Sequence, residues 1–557
     1  MHEKIIIYQT IPRLSGNRVE NPVPGSSLEI NGTGKFADYS VEKLEYVKNL
    51  GCSYIWFTGI IEHATQSICL GQSCLPDSPQ IVKGVAGSPY AIKDYYDVAH
   101  YLAVNHDRRV EEFEELVERC HKSGLKVIID FVPNHVSRNY NSDKNPGHFS
   151  DFGVNDNINV SFATNNDFYY LPGKHFTSPA QLSTPENNRL NNYTEYPAKA
   201  TGNDCFNESP SINDWYETVK LNYGIDYLAG KSRNFDPIPK LWDKMADIIH
   251  YWSRKGVDGF RCDMAEMVPE EFWHYLISEI KVEFPDLIFI AEIYDPDKYN
   301  SYLNSGFDFL YDKVGLYDTL IRVIKGDSSA SDISKCWQSL GEIQDRMLNF
   351  LENHDEQRIA SDFIASGPEK GIPAVAVSLL LNRAPFMIYF AQELGERGMD
   401  AEGYSGLDGR TSIFDFWSIK SIINYNKGLY DIHLHQKYRF LLNIARDEPS
   451  ITAGLTYDLQ FANRDNSNYL ISSTFSFARY YDNEIILVVV NFSESSIEIK
   501  LNIPMHLFEH WGIRDGQNCI FTDLYTNYSG ELQFSSKQPI HLKVDGYFIR
   551  IVKLLLQ

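Results

Sequence analysis

Short β-branched or aromatic runs alternate with amphipathic helical patterns from the N-terminus to about residue 450, and eight short runs can be counted. They fall at 5–8, 54–57, 127–130, 257–262, 287–291, 307–311, 347–351 and 386–390. Such alternation specifies a parallel sheet, because parallel neighbours need a long crossover between them. Eight units favour a closed (β/α)8 barrel over an open doubly wound sheet. No Gly-x-Gly-x-x-Gly follows any of these strands, so a nucleotide-binding sheet has little support. The helical patterns are explicit. Residues 41–50 read as a helix, and Val110, Phe113, Val117 and Cys120 mark one helix face. Trp242, Met245, Ile249 and Trp252 mark another, and Pro269 opens a helix running towards Phe284.

Two regions break the rhythm. Residues 136–225 are rich in Asn, Pro, Asp and Tyr and have little periodicity, which predicts a subdomain inserted after the third strand. After about 449 the helical patterns stop, and 480–492, 497–503 and 547–555 look like successive strands of an all-β sandwich. The expected division is a barrel at 1–135 and 226–448, an insertion at 136–225 and a C-terminal β-domain at 449–557. A length of 557 residues accommodates these three units.

Charge narrows the partners. Fifty-one Lys and Arg against 74 Asp and Glu give −23, which repels phosphate backbones and anionic lipid. Nucleic acid and membrane surfaces are therefore excluded as partners, while a neutral polymer is permitted. The opening residues, Met1-His2-Glu3-Lys4 before a four-residue apolar run, do not read as a signal peptide, which predicts a cytoplasmic protein. Eight cysteines are scattered at 52, 69, 74, 120, 205, 262, 336 and 519, which is no disulfide framework. Cys69 and Cys74 could pair or bind metal, but no second Cys/His pair lies nearby in the sequence.

Polar residues at the C-terminal ends of barrel strands are where chemistry sits. Four strands end in carboxylates: Asp130 after the third, Asp263 after the fourth, Glu292 after the fifth, and Glu352 with Asp355 after the seventh. Buried carboxylates cost stability unless paired or used. Such a cluster suits glycosidic bond cleavage, which needs one carboxyl as proton donor and another ionised as nucleophile or base. Arg261 precedes Asp263 by two positions, so both point to one side of the strand and the guanidinium can hold the carboxylate ionised.

These residues carry a resemblance to the α-amylase family of glycoside hydrolases. Gly256-Val-Asp-Gly-Phe-Arg-Cys-Asp263 resembles the family's nucleophile strand, Ile290-Ala-Glu292 its acid/base strand, and Phe350-Leu-Glu-Asn-His-Asp355 the strand of its transition-state stabiliser. Asp130-Phe-Val-Pro-Asn-His135 resembles the first motif, and 29 positions separate Asp263 from Glu292, a spacing that also fits. The resemblance implies that Asp263 is the nucleophile, Glu292 the acid/base and Asp355 the stabiliser of an oxocarbenium-like transition state. It further implies that Tyr90, Asp130, His135, Arg261 and His354 serve the sugar at the cleavage point, with Tyr90 stacked beneath the ring. The implied substrate is an α-glucan or malto-oligosaccharide. No cofactor is required for chemistry. A structural calcium is implied at Asn134, with oxygens from 143–156 and 204–214 completing a cage, against the plainer reading that Asn134 only orders the insertion.

The chain also departs from the family pattern. Glu266 and Met267 stand where many α-amylases have Lys-His, which puts a sugar contact and a calcium ligand in doubt. Ala91 follows Tyr90 where family α-glucosidases commonly have Asp, which argues against strict exo-glucosidase action. The segment 406–417 matches no motif with an assignable role. Two alternatives to a hydrolase stay open: a transglycosylase using the same residues, and a catalytically inactive carbohydrate-binding homologue. Dead relatives usually lose one of the three carboxylates, and all three are present here.

Overall fold

Eight short strands close on themselves. A computed structural model describes residues 4–67, 76–180 and 193–557. The strands are β1 (Ile6–Thr10), β2 (Tyr54–Phe57), β3 (Lys126–Phe131), β4 (Gly259–Cys262), β5 (Ile288–Ala291), β6 (Phe309–Tyr311), β7 (Met347–Phe350) and β8 (Phe386–Tyr389). Each pairs in parallel with its sequence neighbour, and β8 returns to β1 in the register Ile6↔Phe386 to Gln9↔Tyr389. The expected (β/α)8 barrel is the observed fold, and each strand overlaps its predicted run.

Side-chain alternation places the chemistry. Ile7, Tyr54, Ile128, Ile290, Leu348 and Met387 pack together inside the barrel. Two residues further along the same faces come Gln9, Trp56, Asp130 and Glu292, so the apolar interior row turns polar at the C-terminal rim. The opposite faces of the strands bury against helices. Among these are α1 (Val41–Leu50), α2 (Arg109–Lys122), α3 (Lys240–Arg254) and α4 (Glu270–Glu283). Ser40 caps α1 by accepting from the Lys43 amide. Leu241, Trp242, Met245, Ile249 and Trp252 are all buried on α3, each worth roughly 1.5–3 kcal/mol of transfer free energy.

Between β3 and α3 the described residues form small two-stranded pairs rather than helices. His135–Ser137 pairs antiparallel with Thr218–Lys220, which brings the far end of this segment back to the barrel rim.

The C-terminal region is β apart from three short helical segments, Pro449–Thr452, Phe461–Asn463 and Met505–Trp511. Strands β9 (Leu455–Asp458), β10 (Thr474–Tyr481), β11 (Glu484–Asn491), β13 (Gln517–Asp523), β14 (Ser529–Phe534) and β16 (Phe548–Leu556) form a six-stranded sheet. Strands β12 (Ile497–Leu501) and β15 (Ile540–Val544) pair as a second, two-stranded sheet. The sequence reading of 480–492 as one strand is corrected. The chain reverses there, with Tyr481 paired to Glu484 and Asp482 at φ 57°. Asp and Asn tolerate the left-handed conformation that a two-residue hairpin turn demands. Arg479 ties this region to the barrel. Its buried guanidinium donates to the carbonyls of Leu381, Ser450, Ile451 and Gly454.

Cys69 and Cys74 lie outside the described residues, and the other six cysteines are free thiols. Among the described residues, no helix is long and apolar enough to cross a membrane.

Candidate active site

One guanidinium organises the barrel mouth. Arg261, wholly buried on β4, donates from Nη1 to Asp263 Oδ1 at 2.7 Å and lies 3.4 Å from Asp130 Oδ1. Its Nη2 sits 2.6 Å from Glu292 Oε1, and its Nε donates to the Tyr311 hydroxyl at 3.2 Å. Three buried carboxyls thus share one fixed positive charge. Full ionisation would leave a net charge of −2 in a largely buried space, so the group favours keeping a proton. Burial pushes Asp263 well above the usual carboxylate range; Arg261 opposes this, and Glu292 and Asp130 add to it. Asp130 is likewise pushed up by burial, against Arg261, His354 and hydrogen bonds from Trp56 and Tyr90.

Asp355 differs. Its side chain, on the loop after β7, is 42% exposed. Partial burial acts to raise its pKa, but His354 (3.0 Å away), Arg261 and Arg410 hold it below the ordinary value. His354 is oriented from both sides. The Gln9 amide contacts Nδ1 at 2.9 Å, and Nε2 meets the Tyr90 hydroxyl at 2.6 Å and Asp355 Oδ2 at 3.0 Å. The Gln9 contact on Nδ1 fixes the ring so that Nε2 is turned towards Tyr90 and Asp355. The Tyr90 ring stacks on His354 at 5.1 Å between centroids. His135 packs against Trp215, and burial beside Lys220 and Lys83 pushes it down to about 3, so the ring is neutral.

Tyr90, His135, Asp263, Glu292, His354 and Asp355 line a single cavity of about 220 Å³. Asp130 and Arg261 are absent from that lining and act from behind it, through Asp263, Tyr90 and Glu292. All eight residues expected to carry catalysis or sugar binding are therefore brought into one contact network.

Asn134 behaves differently from the calcium expectation. Its Oδ1 accepts from Lys220 Nζ at 2.8 Å, and the same ammonium pairs with Asp204 Oδ1 at 2.5 Å. Asn134 Nδ2 donates to the Gly202 carbonyl. A lysine of this chain supplies the cation where the sequence pointed to calcium, so a divalent ion does not fit there. The reading that Asn134 orders the insertion is the one the contacts match. Elsewhere Glu62, Asp94, Asp97 and Asp143 gather with ligating oxygens within 4.8 Å of one another. Asp94 already accepts from Tyr96 N, Ser142 Oγ, Asp143 N and Lys144 N, and Asp97 from Arg109 and Val98 N.

Several site residues escaped the sequence reading. Tyr311 ends β6, and Gln9 and Trp56 stand one residue before the ends of β1 and β2, so the strand-end rule applied to every strand would have found them. Tyr294 donates to Glu292 Oε1 at 2.6 Å, and Lys83, Trp215 and Glu217 line the cavity without any motif to announce them. The unassigned segment divides: Ile413 and Phe414 line the cavity, whereas Phe416 and Trp417 are buried in the core.

Fold and site together define a (β/α)8-barrel protein with a carboxylate-lined pocket at the C-terminal face of the barrel. The family model described as "Alpha amylase, catalytic domain" matches residues 40–466, and the chain belongs to the alpha-amylase family. Alpha-amylase 3 of Dictyoglomus thermophilum is 24% identical over 382 residues, covering 65% of this chain and 61% of that one. A cyclomaltodextrinase of Thermoanaerobacter pseudethanolicus is 22% identical over 481 residues, covering 83% of this chain and 64% of the other. The chain thus spans somewhat under two thirds of the length of these relatives. Among solved structures, the noncanonic maltogenic alpha-amylase AmyB from Thermotoga neapolitana superposes with a TM-score of 0.61 at 20% identity, covering 99% of both chains. At that identity the likeness speaks for the fold.

Proposed function

We propose that the protein is a retaining glycoside hydrolase acting on α-glucosidic bonds, foremost the α-1,4 linkages of starch-like glucans or malto-oligosaccharides. The observation that carries this is Arg261 spanning Asp263 and Glu292 through its two Nη atoms, at 2.7 and 2.6 Å, with Asp355 on the same cavity. One guanidinium bridging two carboxyls supports the close spacing of retaining enzymes, about 5–5.5 Å, over the wider inverting one. Relatives named alpha-amylase and cyclomaltodextrinase support the substrate class.

In this reading Asp263 attacks the anomeric carbon and forms a β-glycosyl ester. Glu292 gives its proton to the leaving oxygen, then takes one from the incoming water. Asp355, held ionised beside His354, stabilises the positive charge that builds on the ring. His135, His354 and Tyr90 grip the sugar, and Asp130 and Arg261 fix the charges behind it. No cofactor takes part in these steps.

Incubation with maltoheptaose and with maltotriose tests the reading. New reducing ends appearing with shorter products are expected. Longer products without new reducing ends would replace hydrolysis by transglycosylation, and no turnover on any α-glucan would favour a binding protein.

A further inference from the structure

Glu266 stands where the sequence departs from the family pattern, and its contacts give that departure a purpose. It lies on the short helical turn Ala265–Met267, just past the nucleophile strand. Its Oε2 accepts from the backbone amides of Tyr294, at 3.2 Å, and Asp295, at 3.1 Å. The carboxylate thereby fixes the loop after β5 to the loop after β4. From that fixed loop the Tyr294 hydroxyl donates to Glu292 Oε1 at 2.6 Å. On the other oxygen, Oε2, Glu292 accepts from the Met264 amide at 2.7 Å. Met264 holds the left-handed conformation, φ 45° and ψ 41°, uncommon for a residue with a side chain.

We propose that Tyr294 is a positioning residue for Glu292, and that Glu266 sets the reach of Tyr294 by clamping its backbone. The inference rests on the reading of Glu292 as the acid/base. Among the described residues, the hydrogen-bond and ion-pair partners of the Glu292 carboxyl are Tyr294, Met264 N and Arg261, each a donor or a positive charge. Donors to a carboxylate favour its ionised form. A general acid must be protonated to act, so loss of a donor to this carboxyl is read in the alkaline limb of the pH profile. The charged and titratable groups that face the same carboxyl are Arg261 and Asp263 from β4 and Tyr311 from β6, with Asp130 behind Arg261 and Asp355 facing Tyr294. None of these is altered by changing Tyr294 or Glu266.

The test is the pH profile of kcat/KM for Tyr294→Phe, Glu266→Ala, Glu266→Gln and the double variant Tyr294→Phe with Glu266→Ala. Removing the phenol donor weakens the ionised form, so the alkaline limb of Tyr294→Phe is expected to move up by about one pH unit. Glu266→Ala is expected to move it in the same direction. Glu266→Gln, whose amide oxygen still accepts, should restore most of the wild-type limb. The double variant should shift no further than Tyr294→Phe alone. A fall in kcat/KM at every pH with the limb unmoved would overturn the proposal, because it would reduce Tyr294 to a sugar contact. The direct readout is carboxyl-¹³C NMR of Glu-labelled protein, with the Glu292 signal assigned by its loss in Glu292→Gln. That signal is expected to titrate about one unit higher in Tyr294→Phe, and an unchanged titration would refute the proposal. This readout needs no substrate, so an inactive wild type would end the glycosidase reading while the titration still decides the role of Tyr294.

Discussion

Asp263 and Glu292 share one arginine but have different surroundings. Asp263 takes a single side-chain donor, from Arg261, while Glu292 takes donors from a phenol and a backbone amide as well. Neither can be replaced by a neutral group without losing its chemical step. Asp263→Ala and Glu292→Gln are each expected to lower kcat by about 10⁴-fold or more, with the circular dichroism spectrum unchanged. Near-wild-type activity in either would show that the site is misplaced. The charged members were legible in the sequence because strand period and strand-end position together name Asp130, Arg261, Asp263 and Glu292. Tyr294 was not legible, since nothing in a sequence says that a tyrosine two positions past a glutamate turns back to meet it. The partner of Asn134 was not legible for a related reason. Asn134 reads the same whether its partner is a metal or an ammonium, and only the fold brings Lys220 across to it.

Among the elements, the barrel strands were the easiest to find and the hairpins the hardest. Strands buried on both faces read as continuous apolar runs flanked by helical patterns. In the C-terminal region β10 and β11 are joined by only Asp482 and Asn483, and the apolar run of β11 hid the turn. The strand Thr218–Lys220 shows what a short element can do. It pairs with His135–Ser137 and delivers Lys220 to Asn134 and Asp204, fixing the backbone that holds His135. Lys220→Met should therefore lower stability by about 1–3 kcal/mol in urea melts, since it leaves the buried Asn134 oxygen without a donor. An unchanged melt would mean that this ammonium holds nothing together.

At the scale of the whole molecule, buried titratable groups set a pH dependence. Burial raises Glu62 to about 8, Glu352 to about 7, and Asp94 and Asp312 to about 6. Each binds its proton more tightly when folded, so the stability it contributes is present at low pH and is lost as pH rises through the folded value. Burial lowers His63, His100 and His135 to about 3, and their contribution runs the other way, growing as pH rises and complete once the unfolded value of about 6.5 is passed. Above that point Glu62 and Glu352 still lose their contribution as pH rises, and Lys43, which burial lowers to about 7, runs against these two as a single group. The melting temperature is expected to fall between pH 6.5 and 8, in a calorimetric series at fixed ionic strength, and the net charge of −23 adds self-repulsion in the same direction. A melting temperature that rises across this window would contradict the assignment.

The central claim is that Asp263 forms a covalent bond to the sugar while Glu292 moves the proton. Trapping it with 5-fluoro-α-D-glucosyl fluoride, followed by digestion and peptide mass spectrometry, tests this most directly. The account predicts one fluoroglucosyl adduct per chain, on the peptide containing Asp263 and absent from Asp263→Asn. A stable adduct on any other carboxylate, or turnover of the reagent with no adduct at all, would contradict it.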